Sequence, residues 1–143
     1  MNAPLKTSLS EIPEFTKKFA KTLGGGEIIA LIGQLGSGKT TFVKALAKNL
    51  TVLDPVTSPT FVIMNRYQGM LKNYGLKKIF IFHLDLYRTK NAAEVKALGL
   101  EDFWKRPDTI TLIEWADKFP SLLPKNTISI YFSPPKPWSF FTL

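Results

Sequence analysis

A glycine-rich segment at residues 33–40, Gly-Gln-Leu-Gly-Ser-Gly-Lys-Thr, matches the phosphate-loop pattern G-x-x-x-x-G-K-S/T. Its three glycines, Gly33, Gly36 and Gly38, tolerate backbone angles that are closed to other residues, so successive N–H groups can point inward as a cradle for phosphate. In such loops the ammonium at the position of Lys39 reaches the β- and γ-phosphates, and the hydroxyl at the position of Thr40 is a ligand for Mg²⁺. The pattern therefore predicts a nucleoside triphosphate site.

The residues on either side of this loop have the patterns that the loop requires. Residues 27–32 form a short, almost wholly apolar run, which is typical of a central strand buried on both faces of a parallel sheet. Apolar residues then recur at helical spacing over residues 40–50. The order strand, loop, helix brings the positive end of the helix dipole to the phosphates. The alternative is a glycine-rich turn that only caps a helix.

The rest of the chain alternates between predicted strands and helices, which indicates an α/β fold with helices on the faces of a sheet. The first helix is expected to have Ser10 as its N-cap and Pro13 in its first turn. Strands over residues 61–67 and 78–87, joined by a polar turn over residues 68–75, can pair as an antiparallel hairpin. Further helices are expected over residues 91–99 and 100–104, and further strands over residues 110–113 and 127–132.

Two acidic residues stand at the ends of apolar strands. Period-two alternation places His83 and Asp85 on one face of their strand, and Glu114 ends another. Because ligands of such sheets gather at the carboxyl ends of the strands, both carboxylates can reach the phosphates, where they would organise Mg²⁺ or orient water. The alternative is a pair of solvated or salt-bridged strand ends. His83 is expected to be packed or hydrogen-bonded rather than to act as a base.

Composition excludes several other kinds of site. The chain has no cysteine and one histidine, which excludes disulfides, thiol catalysis, Cys-ligated zinc and multi-histidine metal sites. No apolar run approaches the roughly 18 residues of a membrane-spanning helix, and a cytoplasmic location is expected. Nineteen Lys and Arg against eleven Asp and Glu give a net charge of +8. This excess suits an anionic partner such as a nucleotide, RNA or an acidic protein face, or is simply a lysine-rich soluble surface.

Missing motifs count against two classes of phosphate-loop protein. A Ras-like GTPase needs a D-x-x-G switch, whereas Asp85 is followed by Leu86, Tyr87 and Arg88, and the N-K-x-D motif that reads guanine is absent. Adenine is therefore favoured over guanine. A nucleotide or metabolite kinase normally carries a lid with several arginines, and this chain has three arginines, scattered along its length. Arg88 either pairs with Asp85 or reaches a phosphate.

Several segments, taken together and in order, resemble the bacterial TsaE family. They are the phosphate loop and helix start at 33–42, VTSPTF at 56–61, HLDLYR at 83–88, LGLED at 98–102, LIEW at 112–115, and Leu123-Pro124. The phosphate loop alone is generic, whereas S-P-T, H-x-D-x-Y-R and E-W together are specific to this family. The resemblance spans about residues 8–132.

The resemblance implies a P-loop NTPase fold with a mixed, mostly parallel sheet, and a subunit that binds ATP and Mg²⁺ and hydrolyses ATP weakly when alone. It implies partners similar to TsaB and TsaD, of which TsaD transfers threonylcarbamoyl to the adenosine next to the anticodon of tRNA. ATP hydrolysis then resets that complex between turnovers, tRNA is contacted indirectly through the complex, and no membrane is involved. The alternatives are a stand-alone small-molecule P-loop kinase and a nucleotide-sensing or RNA-binding module.

Carried onto this sequence, the resemblance implies roles for individual residues. Lys39, Asp85 and Glu114 are the expected catalytic residues. Thr40, Asp85 and Glu114 are expected at Mg²⁺, with Glu114 either binding the metal or activating its water. Residues 58–60, Ser-Pro-Thr, are expected to form a switch-like segment near the γ-phosphate. The residues expected to bind ATP are Gly33, Leu35, Gly36, Ser37, Gly38, Lys39, Thr40, Thr41 and Thr60.

Two features depart from the family pattern. Gln34 stands where family members usually have Asp, which makes the loop less negative but leaves the backbone cradle intact. Residues 133–143 match no family pattern and lack the basic residue expected near the nucleotide base. Residues 1–143 are expected to form one P-loop domain with this divergent tail. The aromatic residues Trp138, Phe140 and Phe141 form either a closing edge strand or a docking patch.

Overall fold

The structure is a computed structural model that describes residues 4–104 and 106–133. Its strands are β1 (Leu5–Thr7), β2 (Ile28–Ile32), β3 (Met64–Leu71), β4 (Lys77–Asp85), β5 (Thr109–Glu114) and β6 (Ile128–Phe132). Its α-helices are α1 (Ile12–Ala20), α2 (Lys39–Asn49), α3 (Ala92–Lys96) and α4 (Glu101–Trp104). Short 3-10 turns lie at Leu9–Glu11, Lys72–Tyr74, Ala116–Lys118 and Pro120–Leu122. The aromatic tail around Trp138 lies outside the described residues.

The six strands form one sheet in the order β1-β6-β2-β5-β4-β3. Every neighbouring pair is parallel except β3 and β4, which form the expected antiparallel hairpin. Strands β2 and β5 lie at the centre, so their carboxyl ends open at the middle of one sheet edge. This arrangement confirms the predicted α/β fold with a mixed, mostly parallel sheet flanked by helices.

Both faces of the sheet are buried, which explains the apolar composition of β2 and β5. One face packs against α1 and α2, where Ile12, Phe42 and Leu46 are almost completely inaccessible. The other face packs against α3 and the segments around it, where Leu84 and Ile113 lie in the core. All six residues of β5 are buried, including the terminal Glu114. The central strands are therefore held rigidly from both sides, and so are the side chains at their ends.

The beginning of the chain differs from the prediction. Ser10 is not the N-cap of α1, because Leu9–Glu11 forms a 3-10 turn and the helix begins at Ile12, with Glu11 as its N-cap. Pro13 does lie in the first turn, where its missing N–H costs nothing. Strand β1, which sequence patterns did not indicate, adds to the sheet edge by parallel pairing of Leu5 with Ile130.

The first strand of the hairpin also begins and ends later than predicted, whereas its second strand ends earlier, at Asp85 instead of residue 87. Residues 61–63 form a turn in which Ile63 has a left-handed backbone (φ 69°) and its N–H donates to Pro59 O. The segment that begins at Gln68, predicted as a polar turn, continues β3, whose pairing with β4 runs from Met64 to Leu71. Cross-strand pairing along this whole length outweighs the polar composition of the segment.

Burial of α2 predicts a large difference between two identical substitutions. Leu46 is fully buried against the sheet, whereas Leu53 is 91% exposed just after the helix. Leu46→Ala is expected to lower the free energy of unfolding by about 2–5 kcal/mol, because it removes apolar contacts and leaves a cavity. Leu53→Ala is expected to change it by less than about 0.5 kcal/mol. Urea unfolding measures both, and equal losses would contradict the packing of α2.

Candidate functional site

The loop between β2 and α2 has the conformation that a phosphate cradle requires. Gly36 and Gly38 both have left-handed backbones, with φ of 77° and 108°. At Gly38 a Cβ atom would also lie 2.9 Å from Ile12 Cδ1, which the end of that side chain would have to accommodate by shifting. Gly38 is the N-cap of α2, so the first N–H groups of an 11-residue helix open into the loop.

Lys39 lies at the centre of this loop and is only 6% exposed. Its ammonium donates hydrogen bonds to Gly33 O (2.5 Å) and Gln34 O (2.9 Å). It also lies 4.2 Å from the ring centroid of Trp115. Burial lowers the pKa of Lys39, and the carboxylates of Glu114, Asp117 and Asp85 partly offset that shift. An anion in the loop would compete with two neutral carbonyls for this ammonium.

Glu114 connects the central strands to the phosphate loop. It ends β5 next to β2, where it pairs with Leu31, and it is 2% exposed. Its Oε1 accepts a hydrogen bond of 2.6 Å from Thr40 Oγ1, in the first turn of α2. On its other side, His83 Nε2 lies 3.6 Å from Glu114 Oε2. His83 is completely buried, as expected for a packed histidine.

Asp85 lies beside Glu114, because β4 and β5 pair with these two residues in register. Its Oδ2 accepts a hydrogen bond from Thr60 Oγ1 (3.1 Å), and its Oδ1 accepts one from the N–H of Tyr87 (2.9 Å). Thr60 Oγ1 is in turn 2.6 Å from Ser58 Oγ. The S-P-T segment therefore lies against Asp85, and the two acids and the phosphate loop share one edge of the sheet.

The two carboxyl groups have pKa values shifted in opposite directions. Burial raises the pKa of Asp85, and the charge of Glu114 adds to that shift against the hydrogen bonds from Tyr87 and Thr60. Burial also acts to raise the pKa of Glu114, but the facing His83 and the Thr40 hydroxyl outweigh it and leave the pKa lowered. His83 and Thr40 therefore favour the charged form of Glu114, whereas burial favours the protonated form of Asp85.

The oxygens at this edge fit a magnesium ion that arrives with a nucleotide. No group of three His, Cys, Asp or Glu side chains within residues 4–104 and 106–133 can hold a metal ion by itself. The available ligands are two carboxylates, Asp85 and Glu114, and the Thr40 hydroxyl. Mg²⁺ in nucleotide sites is bound by one or two carboxylates together with phosphate oxygens and water, which matches this donor set.

The remaining residues predicted to bind ATP differ in their positions. Leu35 and Thr41 are exposed, Leu35 at 73%. Ser37 is buried, and its hydroxyl has no hydrogen-bond partner among the described residues. Arg88 forms no ion pair with Asp85 within the described part of the chain, and its guanidinium lies 4.6 Å from the ring centroid of Phe61. Contact between Arg88 and a phosphate stays a prediction.

Sequence reasoning did not identify two neighbours of the site. Trp115 has a left-handed backbone (φ 59°). Its ring centroid lies 4.2 Å from the Lys39 ammonium and 5.0 Å from the ring centroid of Tyr87. The sequence feature that could have indicated Trp115 as a neighbour of the site was its position directly after Glu114. Lys118 donates to backbone carbonyls of the loop after Asp85, and no motif indicates that contact.

Comparison with known proteins agrees with the sequence resemblance. The sequence model of threonylcarbamoyl adenosine biosynthesis protein TsaE matches residues 6–137. A curated protein from Nostoc sp., named tRNA threonylcarbamoyladenosine biosynthesis protein TsaE, is 40% identical over 104 residues, which cover 70% of this chain and 59% of the relative. The chain therefore spans less than two thirds of that relative's length.

Other relatives are covered more fully. Proteins of the same name from Bacillus subtilis and Aquifex aeolicus are 35% and 38% identical, over 82% and 80% of this chain and 71% and 79% of the relatives. Among solved structures, that of Bacillus subtilis YdiB superposes with a TM-score of 0.64 at 28% identity and covers 87% of this chain and 71% of that one. No helix in the described part of the chain is long and apolar enough to cross a bilayer.

Proposed function

The chain belongs to the TsaE family of threonylcarbamoyl adenosine biosynthesis proteins, and we propose that it is the ATP-binding and ATP-hydrolysing subunit of an assembly that modifies tRNA. The family and the P-loop fold indicate nucleotide binding, with a metal ion, and ATPase activity. The predicted role in tRNA threonylcarbamoyladenosine biosynthesis agrees with the names of the curated relatives. Nothing in the comparisons favours the kinase alternative.

The main observation that supports this proposal is the hydrogen bond from Thr40 to Glu114. It joins the first turn of α2 to the end of β5 over 2.6 Å. Asp85 lies on the adjacent strand in register with Glu114, and Thr60 donates to it. A hydroxyl and two carboxylates thus converge beside a loop whose glycines and lysine suit a triphosphate. A turn that merely capped a helix would not require two buried acids at the same edge.

In the proposed reaction, the backbone N–H groups of the loop and the Lys39 ammonium bind the phosphates of ATP. Mg²⁺, bound with ATP, would neutralise phosphate charge and help to orient the phosphates. Thr40 and Asp85 would hold that ion from the protein side, and Thr60 keeps the Asp85 carboxylate oriented. Glu114 would either hold the ion as well or accept a proton from the attacking water. These two roles predict different results when Glu114 is substituted.

Activation by partner proteins distinguishes a subunit from a stand-alone enzyme. We expect the purified chain to bind ATP and to release phosphate slowly, and we expect proteins similar to TsaB and TsaD to accelerate that release. Phosphate release is measured for the chain alone and for the mixed complex. Unchanged turnover in a stable mixed complex would count against the proposal. Transfer of labelled γ-phosphate to a metabolite without any partner would favour the kinase.

The Thr40 hydroxyl is expected to matter for the metal more than for the nucleotide. Thr40→Ala removes one oxygen ligand and the hydrogen bond to Glu114, and it should lower ATP hydrolysis roughly 10- to 100-fold at limiting Mg²⁺, the equivalent of one contact to a charged group. High Mg²⁺ should restore part of the rate, and Thr40→Ser should retain most of it. A loss that Mg²⁺ titration leaves unchanged would show that the hydroxyl acts otherwise.

A further inference from the structure

The Lys118 ammonium binds three backbone carbonyls of one loop. It donates to Leu86 O (3.1 Å), Tyr87 O (2.8 Å) and Thr89 O (2.7 Å), which are residues 29 to 32 positions earlier in the chain. An ammonium has three N–H donors, and all three are accounted for by these contacts. Lys118 forms no ion pair with a carboxylate within residues 4–104 and 106–133. Its contacts are therefore those of a cross-link between two segments.

The loop that Lys118 holds is the turn that directly follows Asp85. Asp85 Oδ1 accepts from the N–H of Tyr87, and both the N–H and the hydroxyl of Thr89 donate to Leu86 O, the hydroxyl at 2.6 Å. The N–H of Tyr87 thus joins this turn to the Asp85 carboxylate. Lys118 binds carbonyls of the same turn, that of Tyr87 included, so a shift of the turn would move Asp85 as well.

Lys118 itself belongs to the segment that leaves Glu114. The 3-10 turn Ala116–Lys118 directly follows Glu114 and Trp115. A backbone hydrogen bond from the N–H of Leu86 to Glu114 O (3.1 Å) already joins the two segments at the sheet edge. Lys118 adds a second connection farther from the sheet, where no strand pairing remains. The two connections together join the segment that follows Asp85 to the segment that follows Glu114.

We propose that Lys118 is a positioning residue of the ATPase, which holds the turn after Asp85 in register with Glu114 and so keeps the two carboxylates at the separation that the reaction needs. This inference rests on the proposed function. Lys118 acts through Asp85 and does not bind the phosphates. Misplacement of a reacting group by about 1 Å costs up to roughly 100-fold in rate, so a clamp on this turn has a measurable effect.

Substitution of Lys118 by methionine tests the proposal. Methionine keeps the apolar stem and removes the three N–H donors. We expect Lys118→Met to lower kcat for ATP hydrolysis roughly 10- to 100-fold while the Kd for ATP changes less than about twofold. Lys118→Arg, which keeps several N–H donors, should recover part of the rate. Lys125→Met removes an exposed lysine nearby in sequence and should behave as wild type.

A double substitution separates positioning from a general loss of stability. If Lys118 acts through Asp85, then Lys118→Met in an Asp85→Asn background should lower kcat by less than about twofold further. Hydrogen exchange gives a readout without catalysis, since the amides of Tyr87 and Thr89 should exchange faster in Lys118→Met than in Lys125→Met.

Normal kcat and normal exchange in an active Lys118→Met enzyme would overturn this inference alone. Additive effects in the double variant would do the same. A wild-type chain without ATPase activity, alone or with partners, would overturn the proposed function and this inference with it.

Discussion

Glu114→Gln is expected to lower kcat for ATP hydrolysis by a factor of about 10²–10⁴, the range typical of a positioned general base. Glutamine keeps the size of the side chain and an oxygen that can accept from Thr40, so the local packing should survive. It removes the negative charge, which the structure maintains at neutral pH because His83 and Thr40 lower the pKa of Glu114 against its burial. Rapid-quench or coupled phosphate assays measure the rate, and nucleotide titration measures the Kd.

The pattern of loss assigns the role of Glu114. An unchanged Kd for ATP with a lost rate places this carboxylate in the chemical step. An equal loss of binding and rate moves it to the metal or nucleotide. Glu101→Gln, at an exposed acid on α4, is the matched control and should leave both quantities unchanged.

Because the pKa of Glu114 is lowered, its protonation should reduce the rate only in acid, below the usual titration range of a glutamate. A rate lost already between pH 6 and 7 would need another titrating group.

Lys39→Ala is expected to remove binding and hydrolysis together. Lys39 is almost completely buried within the phosphate loop. Loss of charged hydrogen bonds worth about 3 kcal/mol corresponds to a roughly 100-fold weaker Kd for ATP. The substitution also frees Gly33 O and Gln34 O, which Lys39 binds in this structure, so the loop itself should become less ordered.

The neighbouring Lys44 supplies the control for that experiment. It lies on the exposed side of the same helix, one and a half turns from the loop. Lys44→Ala makes the same change of charge and should leave ATP affinity and rate close to those of the wild type. Calorimetric titration with ATP and Mg²⁺ compares the two variants. Equal affinity losses in both would mean that net charge, and not the ammonium inside the loop, governs binding.

Predictions from the sequence were most accurate where local chemistry and packing agree. The phosphate loop, β2 and α2 were located within a residue or so, because glycine spacing, an apolar strand and a helical stripe all indicate the same unit. The start of the helix predicted over residues 91–99 was also correct, because Asn91 is the N-cap of α3 and its side chain accepts a hydrogen bond of 3.0 Å from the N–H of Glu94. Such features depend on residues that are close together in the chain.

Errors arose where the deciding contact was distant in sequence. Strand β1 has three residues and exists because it pairs with β6, more than a hundred positions later. The polar part of β3 is a strand because it pairs along its whole length with β4. Neither segment has a local pattern strong enough to reveal its partner. Ser10 was assigned as a cap although a 3-10 turn moves the helix start to Ile12.

The predictions for the candidate site show the same difference between contacts that are local in sequence and contacts that are distant in sequence. The order of residues alone determined a phosphate cradle, two acids at strand ends and the family resemblance, because each of these depends on residue type and short spacing. Only the tertiary structure decided that Glu114 binds Thr40, that Thr60 binds Asp85 and that Lys118 clamps the turn between the acids. Those contacts join residues 25 to 74 positions apart. Their geometry is fixed by strand order and register, which are properties of the packed sheet as a whole.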